Sequence, residues 1–210
     1  MNQTQVEDQI PCGGEGAGVA VCGGEAVIRR AGEGDADGVT AMLSALSDLA
    51  LYFRFQTAVG RPPRPSLVEP LLCPSGAAWV VERSDELVGH AMWAWAKGSQ
   101  VPTAELAVVI AHSARRRGLG LAMMHLAATD AYSAGAAQLL LVVSAANDKV
   151  IRMIRRHLPG HQVERDGALL NYLVPADFLW LPPQPVGTPP AVLQVTCSTA
   201  GGVPAGCGGS

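Results

Sequence analysis

The residues with the most chemistry in this 210-residue chain lie in one run, Ala104-Glu105-Leu106-Ala107-Val108-Val109-Ile110-Ala111-His112-Ser113-Ala114-Arg115-Arg116-Arg117-Gly118-Leu119-Gly120-Leu121. The near-continuous apolar stretch 105–110 reads as a buried strand. A short loop follows, and a helix begins within 115–120. The start of a helix exposes unpaired N–H groups at the positive end of its dipole, which together favour an anion. Gly118 and Gly120 remove Cβ atoms where a phosphate must approach the backbone closely, and Arg115, Arg116 and Arg117 add three positive charges. The pattern asks for a pyrophosphate.

Two familiar phosphate loops do not fit it. A Walker loop requires a lysine after its last glycine, and Leu121 follows Gly120. A dinucleotide fingerprint requires a third small residue where Met123 stands, and an acid after the next strand, where the chain reads Ser144-Ala145-Ala146. Other chemistries lack a pattern. His90, His112, His125, His157 and His161 form no metal-binding spacing and are expected on surfaces or helix ends, with His112 a possible phosphate contact. The five cysteines are odd in number and contain no C-x-x-C, so free thiols are expected and no metal is called for. Trp93 and Trp95 alternate along a strand and read as packing on one side of a sheet.

The elements that must hold this run can be read on either side of it. A strand is expected at 26–30, a helix at 35–46 with Asp35 as its N-cap, and a second short helix at 47–55. Arg61-Pro62-Pro63-Arg64-Pro65 reads as a loop. Strands follow at 77–82 and 87–96 around a turn at Ser84-Asp85, then the strand 105–110 and a helix over 118–132 that stops near Gly135. A strand at 139–143, a helix at 148–157, and a hairpin of 162–165 and 169–174 around Asp166-Gly167 complete the order. That is a mixed-sheet α/β fold flanked by helices, in a single domain over 26–174. Residues 1–25 read as a flexible Gly-rich segment and 175–210 as a Pro/Gly-rich tail, with Phe178-Leu179-Trp180-Leu181 expected to fold back.

Composition narrows the function classes. Thirteen of the 15 basic residues are arginines, but the net charge is −3, so no global cationic field draws the chain to nucleic acid. No stretch is long and apolar enough for a spanning helix, which argues against a membrane partner. The first 25 residues carry Glu7, Asp8 and Glu15 and lack a basic-then-apolar signal pattern, so a cytoplasmic location is expected.

Arg115-x-x-Gly118-x-Gly120 after an apolar strand, within this element order, resembles the acetyl-CoA loop of the Gcn5-related N-acetyltransferase (GNAT) superfamily. Three further segments are similar to the bacterial Pat-type protein-lysine acetyltransferases. They are Ala104-Glu105 thirteen residues before Gly118, Leu46-Ser47 with Leu51-Tyr52-Phe53-Arg54-Phe55, and Asn147 with Val150 and Met153. The resemblance implies a GNAT-like fold and acetyl-CoA as co-substrate. It implies that Val108, Val109 and Ile110 offer backbone groups to the pantetheine arm and the thioester carbonyl. Arg115, Arg116, Arg117, Gly118, Leu119, Gly120 and Leu121 would bind the pyrophosphate, and Asn147 would touch the pantetheine. Glu105 would be the general base, directly or through water; without the resemblance it reads as an exposed acid at a strand mouth.

The chemistry is coherent with that role. An amine of pKa about 10.4 is almost wholly protonated at neutral pH, and a carboxylate can attract the cation and accept its proton. A strand N–H near Val109 is the expected donor to the oxyanion. Many members place a tyrosine seven residues after the asparagine, where this chain has Ile154, so the general acid is unassigned. The expected reaction is transfer of an acetyl group to a primary amine, a protein lysine first. A small-molecule amine acceptor and a non-catalytic acyl-CoA-binding module are the alternatives. Oligomeric state is not legible.

Overall fold

Alternating apolar residues and helix caps resolve into an eight-stranded sheet with helices on both faces. The computed structural model describes residues 19–21, 26–115, 118–158 and 160–177. In chain order the elements are β1 (Val19–Val21), β2 (Ala26–Arg30), α1 (Ala36–Ser44), α2 (Asp48–Phe55), α3 (Pro65–Leu72), β3 (Ala77–Arg83) and β4 (Glu86–Trp95). They continue with β5 (Thr103–Ile110), α4 (Leu119–Ser133), β6 (Gln138–Ser144), α5 (Asp148–His157), β7 (Gln162–Asp166) and β8 (Leu169–Pro175). The strands lie in the order β1-β2-β3-β4-β5-β6-β8-β7, and every neighbouring pair is antiparallel except β5 and β6. The chain thus has the mixed sheet flanked by helices that its sequence implies.

Alternation along β5 divides the core in two. Ala104 and Leu106 point to one face, where Met123, Ala127, Ala131, Ile151 and Ile154 of α4 and α5 cover them. Val109 points to the other, with Val80 and with Val39, Leu43, Leu51, Val68 and Leu72 of α1, α2 and α3. The local signals explain the helix ends. The Ser47 hydroxyl accepts from the Ala50 N–H at 3.2 Å to start α2, and Asn147 Oδ1 accepts from the Val150 N–H at 3.4 Å to start α5. Arg155, Arg156 and His157 close α5 at the negative end of its dipole. The β3–β4 turn uses positive φ at both Ser84 and Asp85, as a tight hairpin requires.

Several expectations are corrected. Helix α3 begins at the last residue of the proline run that reads as a loop. Pro65 takes its first position, where a missing N–H costs nothing, and Pro70 removes one bond of a two-turn helix. Asp35 stands before α1 but makes no capping hydrogen bond with its side chain. It accepts instead from both terminal nitrogens of Arg29, at 2.9 and 2.7 Å, and from the Gly32 N–H at 2.9 Å. Within the segment 1–25, Val19–Val21 pairs with β2. Cys73, expected as a free thiol, is disulfide-bonded. At the far end Ala176 is still buried, and its N–H donates to the Ala137 carbonyl at 3.0 Å. The patch 178–181 lies outside the described residues.

Gly76, where the chain enters β3, leaves no room for a side chain. A Cβ there would sit 2.5 Å from the Trp93 carbonyl oxygen and 2.4 Å from its indole. Backbone cannot withdraw as a flexible side chain can, so Gly76→Ala is expected to destabilise the fold by roughly 1–3 kcal/mol, the usual range for overpacking. Denaturant unfolding of the two proteins measures it.

Candidate active site

The site begins where two parallel strands separate. β5 pairs with β4 from Ala104 to Ile110, but with β6 only over Thr103–Glu105. Beyond that point β6 turns away and pairs along its length with β8. The β6-facing edge of 106–110 therefore has no strand across from it among the described residues, and backbone polar groups so placed call for a partner. Val108, Val109 and Ile110 lie on this stretch.

The start of α4 lies beside the end of this strand. Gly118 precedes α4 with φ 75°, a left-handed conformation that glycine adopts without strain, and no side chain caps the helix. The first N–H groups of α4 are thus left for an outside acceptor. Ile110, Ala114, Arg115, Gly118, Leu119, Gly120 and Leu121 line an open pocket of about 230 Å³ there. A Cβ on Gly120 would meet only Ile110 Cγ1, at an ordinary 3.6 Å. Arg115 lines the pocket, but its Nε donates to the Ile110 carbonyl at 3.1 Å, tying the loop to the strand end. Arg116 and Arg117 lie outside the described residues. Asn147 lies at the β6–α5 junction, where its side-chain oxygen is committed to capping α5. The open helix start, the glycine geometry and the unpaired strand edge together fit an extended ligand that ends in a pyrophosphate.

Glu105 occupies the last paired position before the strands part, opposite Ala94 on β4 and Leu140 on β6. Its side chain is exposed and emerges on the α1–α3 face, where α2 packs against β5. His90, Met92 and Ala94 on β4 and Val109, Ala107 and Glu105 on β5 form facing pairs along that face. His90 is not on the surface, as its sequence context suggests, but almost fully buried. Its Nε2 lies 2.9 Å from the Leu71 carbonyl oxygen. Burial above all, then the nearby Arg54 charge, pushes its pKa down to about 4, so the ring is neutral and Nε2 is the nitrogen that donates. His112 is exposed beside the loop, in the short turn His112–Ala114.

The sequence reading assigned no role to Arg54, on the last turn of α2. Its Nε and Nη2 are inaccessible and without hydrogen-bond partners. Burial pulls its pKa down to about 10, against the opposing pull of the Glu105 carboxylate, and it remains charged at neutral pH. A charged residue between apolar ones in Leu51-Tyr52-Phe53-Arg54-Phe55 was the one available signal. Among the described residues no group of His, Cys, Asp and Glu could hold a metal, and no helix is long and apolar enough to cross a membrane.

Comparison with known proteins decides the family. The model of the acetyltransferase (GNAT) family matches residues 46–158, more than half of the chain. The chain belongs to the GNAT family. It is therefore an acetyl-CoA-dependent N-acetyltransferase, with acetyl-CoA as co-substrate. Solved structures share the fold at low identity. The GNAT domain of S. lividans PAT superposes with a TM-score of 0.66 at 19% identity, over 76% of this chain and 96% of that one. The yncA protein of Salmonella typhimurium, solved with its cofactor acetyl-CoA, gives 0.56 at 16% identity, over 73% and 95%. Ribosomal-protein-alanine N-acetyltransferase from Brucella melitensis gives 0.52 at 20%, over 70% and 96%. No curated protein matches the chain.

Two outcomes follow from this geometry. Gly120→Asp should leave the GNAT fold intact, since its Cβ is accommodated, yet abolish acetyl-CoA binding by placing a carboxylate at the helix start. Calorimetric titration of a variant with native circular dichroism checks this, and unchanged affinity would mean the phosphate site lies elsewhere. His90 is held neutral in the fold but titrates near 6.5 when unfolded, so between those values the unfolded state binds the extra proton. Its contribution to stability should be lost as the pH falls from about 6.5 toward 4, and His90→Gln should flatten that part of the denaturation-against-pH curve.

Proposed function

We propose that this GNAT enzyme transfers the acetyl group to a primary amine, a protein lysine side chain, by direct attack with Glu105 as general base, and that it acts in the cytoplasm. The observation that carries the mechanism is the position of Glu105. One strand supplies the carboxylate at 105 and, from the next residues on, the unpaired backbone edge suited to the co-substrate. The segments that resemble the Pat-type protein-lysine acetyltransferases support a protein lysine as acceptor.

In this reading the first N–H groups of α4, Gly118 to Leu121, hold the pyrophosphate, and Val108 to Ile110 align the pantetheine arm. Arg115 and Asn147 border the same path, and the positive charges of Arg116 and Arg117 follow Arg115 in the sequence. The co-substrate supplies the activated acyl group and a thiolate leaving group. Glu105 draws the ammonium form of the acceptor and accepts a proton, so that the amine nitrogen can form its C–N bond as the C–S bond breaks. A main-chain N–H near Val109 donates to the carbonyl oxygen as negative charge grows there. Ile154, fully buried against the core, offers no proton to the departing sulfur.

Glu105→Gln keeps the shape and removes the proton acceptor. The kcat on a lysine peptide should fall by roughly 10²- to 10⁴-fold, while acetyl-CoA affinity is retained because the α4 site is untouched. Turnover at the wild-type rate would remove Glu105 from the mechanism. Incubation with acetyl-CoA and a cell lysate, followed by mapping of acetylated positions, tests the acceptor; acetylation of small amines alone would overturn the protein-lysine assignment.

A further inference from the structure

Buried polar side-chain atoms in folded proteins nearly always find a partner, so clustered exceptions point to something that binds there. Among the described residues the unpartnered buried atoms belong to only three residues: Arg54 Nε and Nη2, Gln56 Oε1 and His90 Nδ1. Arg54 and Gln56 close the C-terminal end of α2, and His90 lies on the β4 row of the sheet face that α1, α2 and α3 cover. Glu105 ends the adjoining β5 row of that face.

The identity of the two Arg54 atoms is informative. Nε and Nη2 lie along one edge of the planar guanidinium, the edge that makes two parallel N–H···O bonds to a carboxylate. No protein carboxylate occupies it, since Arg54 enters none of the ion pairs among the described residues. Glu105 is the acidic group whose field Arg54 feels, yet it makes no ion pair with it. Between the His90 and Glu105 positions the face carries Met92, Ala94 and Ala107, so the acidic end of the row is flanked by small side chains. A cation at the α2 end and an anion at the strand end complement a molecule that carries the opposite charges.

The geometry points to Arg54 as a specificity-determining residue: the preferred acceptor carries a carboxylate near its reactive amine, held by the Nε–Nη2 edge of Arg54 while the ammonium faces Glu105. This deepens the proposed function and rests on its placing the acceptor beside Glu105. The carboxylate can come from an acidic residue next to a peptide lysine, or from the free carboxyl group of a small amino acid. Gln56 and His90 each offer an acceptor atom to polar hydrogens of the same molecule.

The test uses the full chain, acetyl-CoA and two matched pairs of acceptors. One pair is an end-blocked lysine peptide with glutamate or glutamine immediately before the lysine. The other is Nα-acetyl-lysine and its carboxamide. In at least one pair the wild type should favour the carboxylate by about tenfold or more in kcat/KM, as a charge-assisted bidentate contact implies. The pair that discriminates identifies the source of the carboxylate. Arg54→Gln should bring that ratio near one, and Arg54→Lys should keep part of it by retaining charge without the paired edge. Calorimetric titration of the same acceptors into the CoA-saturated wild type reads the discrimination without turnover, and so covers the case of a variant that fails to fold. Equal handling of carboxylate and carboxamide by the wild type in both assays would overturn the proposal, leaving water as the occupant of the cluster. So would a ratio that survives in a folded Arg54→Gln. Running Glu105→Gln on the same pairs separates the two ideas: undiminished turnover would defeat the general-base assignment, while the ratio still judges Arg54.

Discussion

The functional architecture depends on one constraint in the sheet, the short parallel pairing of β5 with β6. Three residue pairs join these strands, and the register ends at Glu105. Parallel neighbours cannot be linked by a tight turn, so the connection must cross over, and here it does so through α4. The crossover sets the start of α4 against the end of β5, with Ile110 and the Gly118–Leu121 segment lining one pocket. The same separation leaves a strand edge unpaired. An uncapped helix start and an adjacent unpaired backbone edge therefore arise from one topological feature.

What keeps the strands apart is their other commitments. β6 pairs with β8 over seven residue pairs, and β5 pairs with β4 over seven. Each strand is held on its outer side by a full antiparallel ladder, so the opening between them does not threaten the sheet. The two covering layers divide the work in the same way. The alanines and methionines of α4 lie close on one face and anchor the helix whose start faces the pocket. On the opposite face α1, α2 and α3 bring their own apolar residues to Val80 and Val109 and leave Glu105 exposed at the margin.

That second face contains the polar exceptions of the core. His90 is accommodated by donating to a helix carbonyl and giving up its charge, while Arg54 keeps its charge without a protein partner for one edge. A guanidinium is not neutralised by burial as an imidazole is, because its unperturbed pKa is so much higher. The two residues show different responses to the same low-dielectric surroundings. One becomes part of the packing, and the other stays an electrostatic feature of the region beside Glu105.

Local information was enough for much of this. The strand–loop–helix of 104–121 is written in residue types, because an apolar run, glycines and arginines each act through the adjacent backbone. The spans of α2, α5 and the β7–β8 hairpin follow from Ser47, Asn147 and Asp166-Gly167, whose effects reach only a few residues. Helix α3 was not legible, since its prolines suit a loop and the first turn of a helix equally until Val68, Leu71 and Leu72 find a core to enter. The true partner of Asp35 was hidden for a similar reason: capping and ion pairing compete for one carboxylate, and only the fold brings Arg29 within reach. The burial of His90 and the open edge of Arg54 depend on α2 and α3 closing over β4 and β5. The sequence by itself determined the family resemblance, the glycine- and arginine-bearing run after β5 and the acid that precedes it. Only the tertiary structure decided which charged groups share a face, because that depends on strand register and helix docking between residues far apart in the chain.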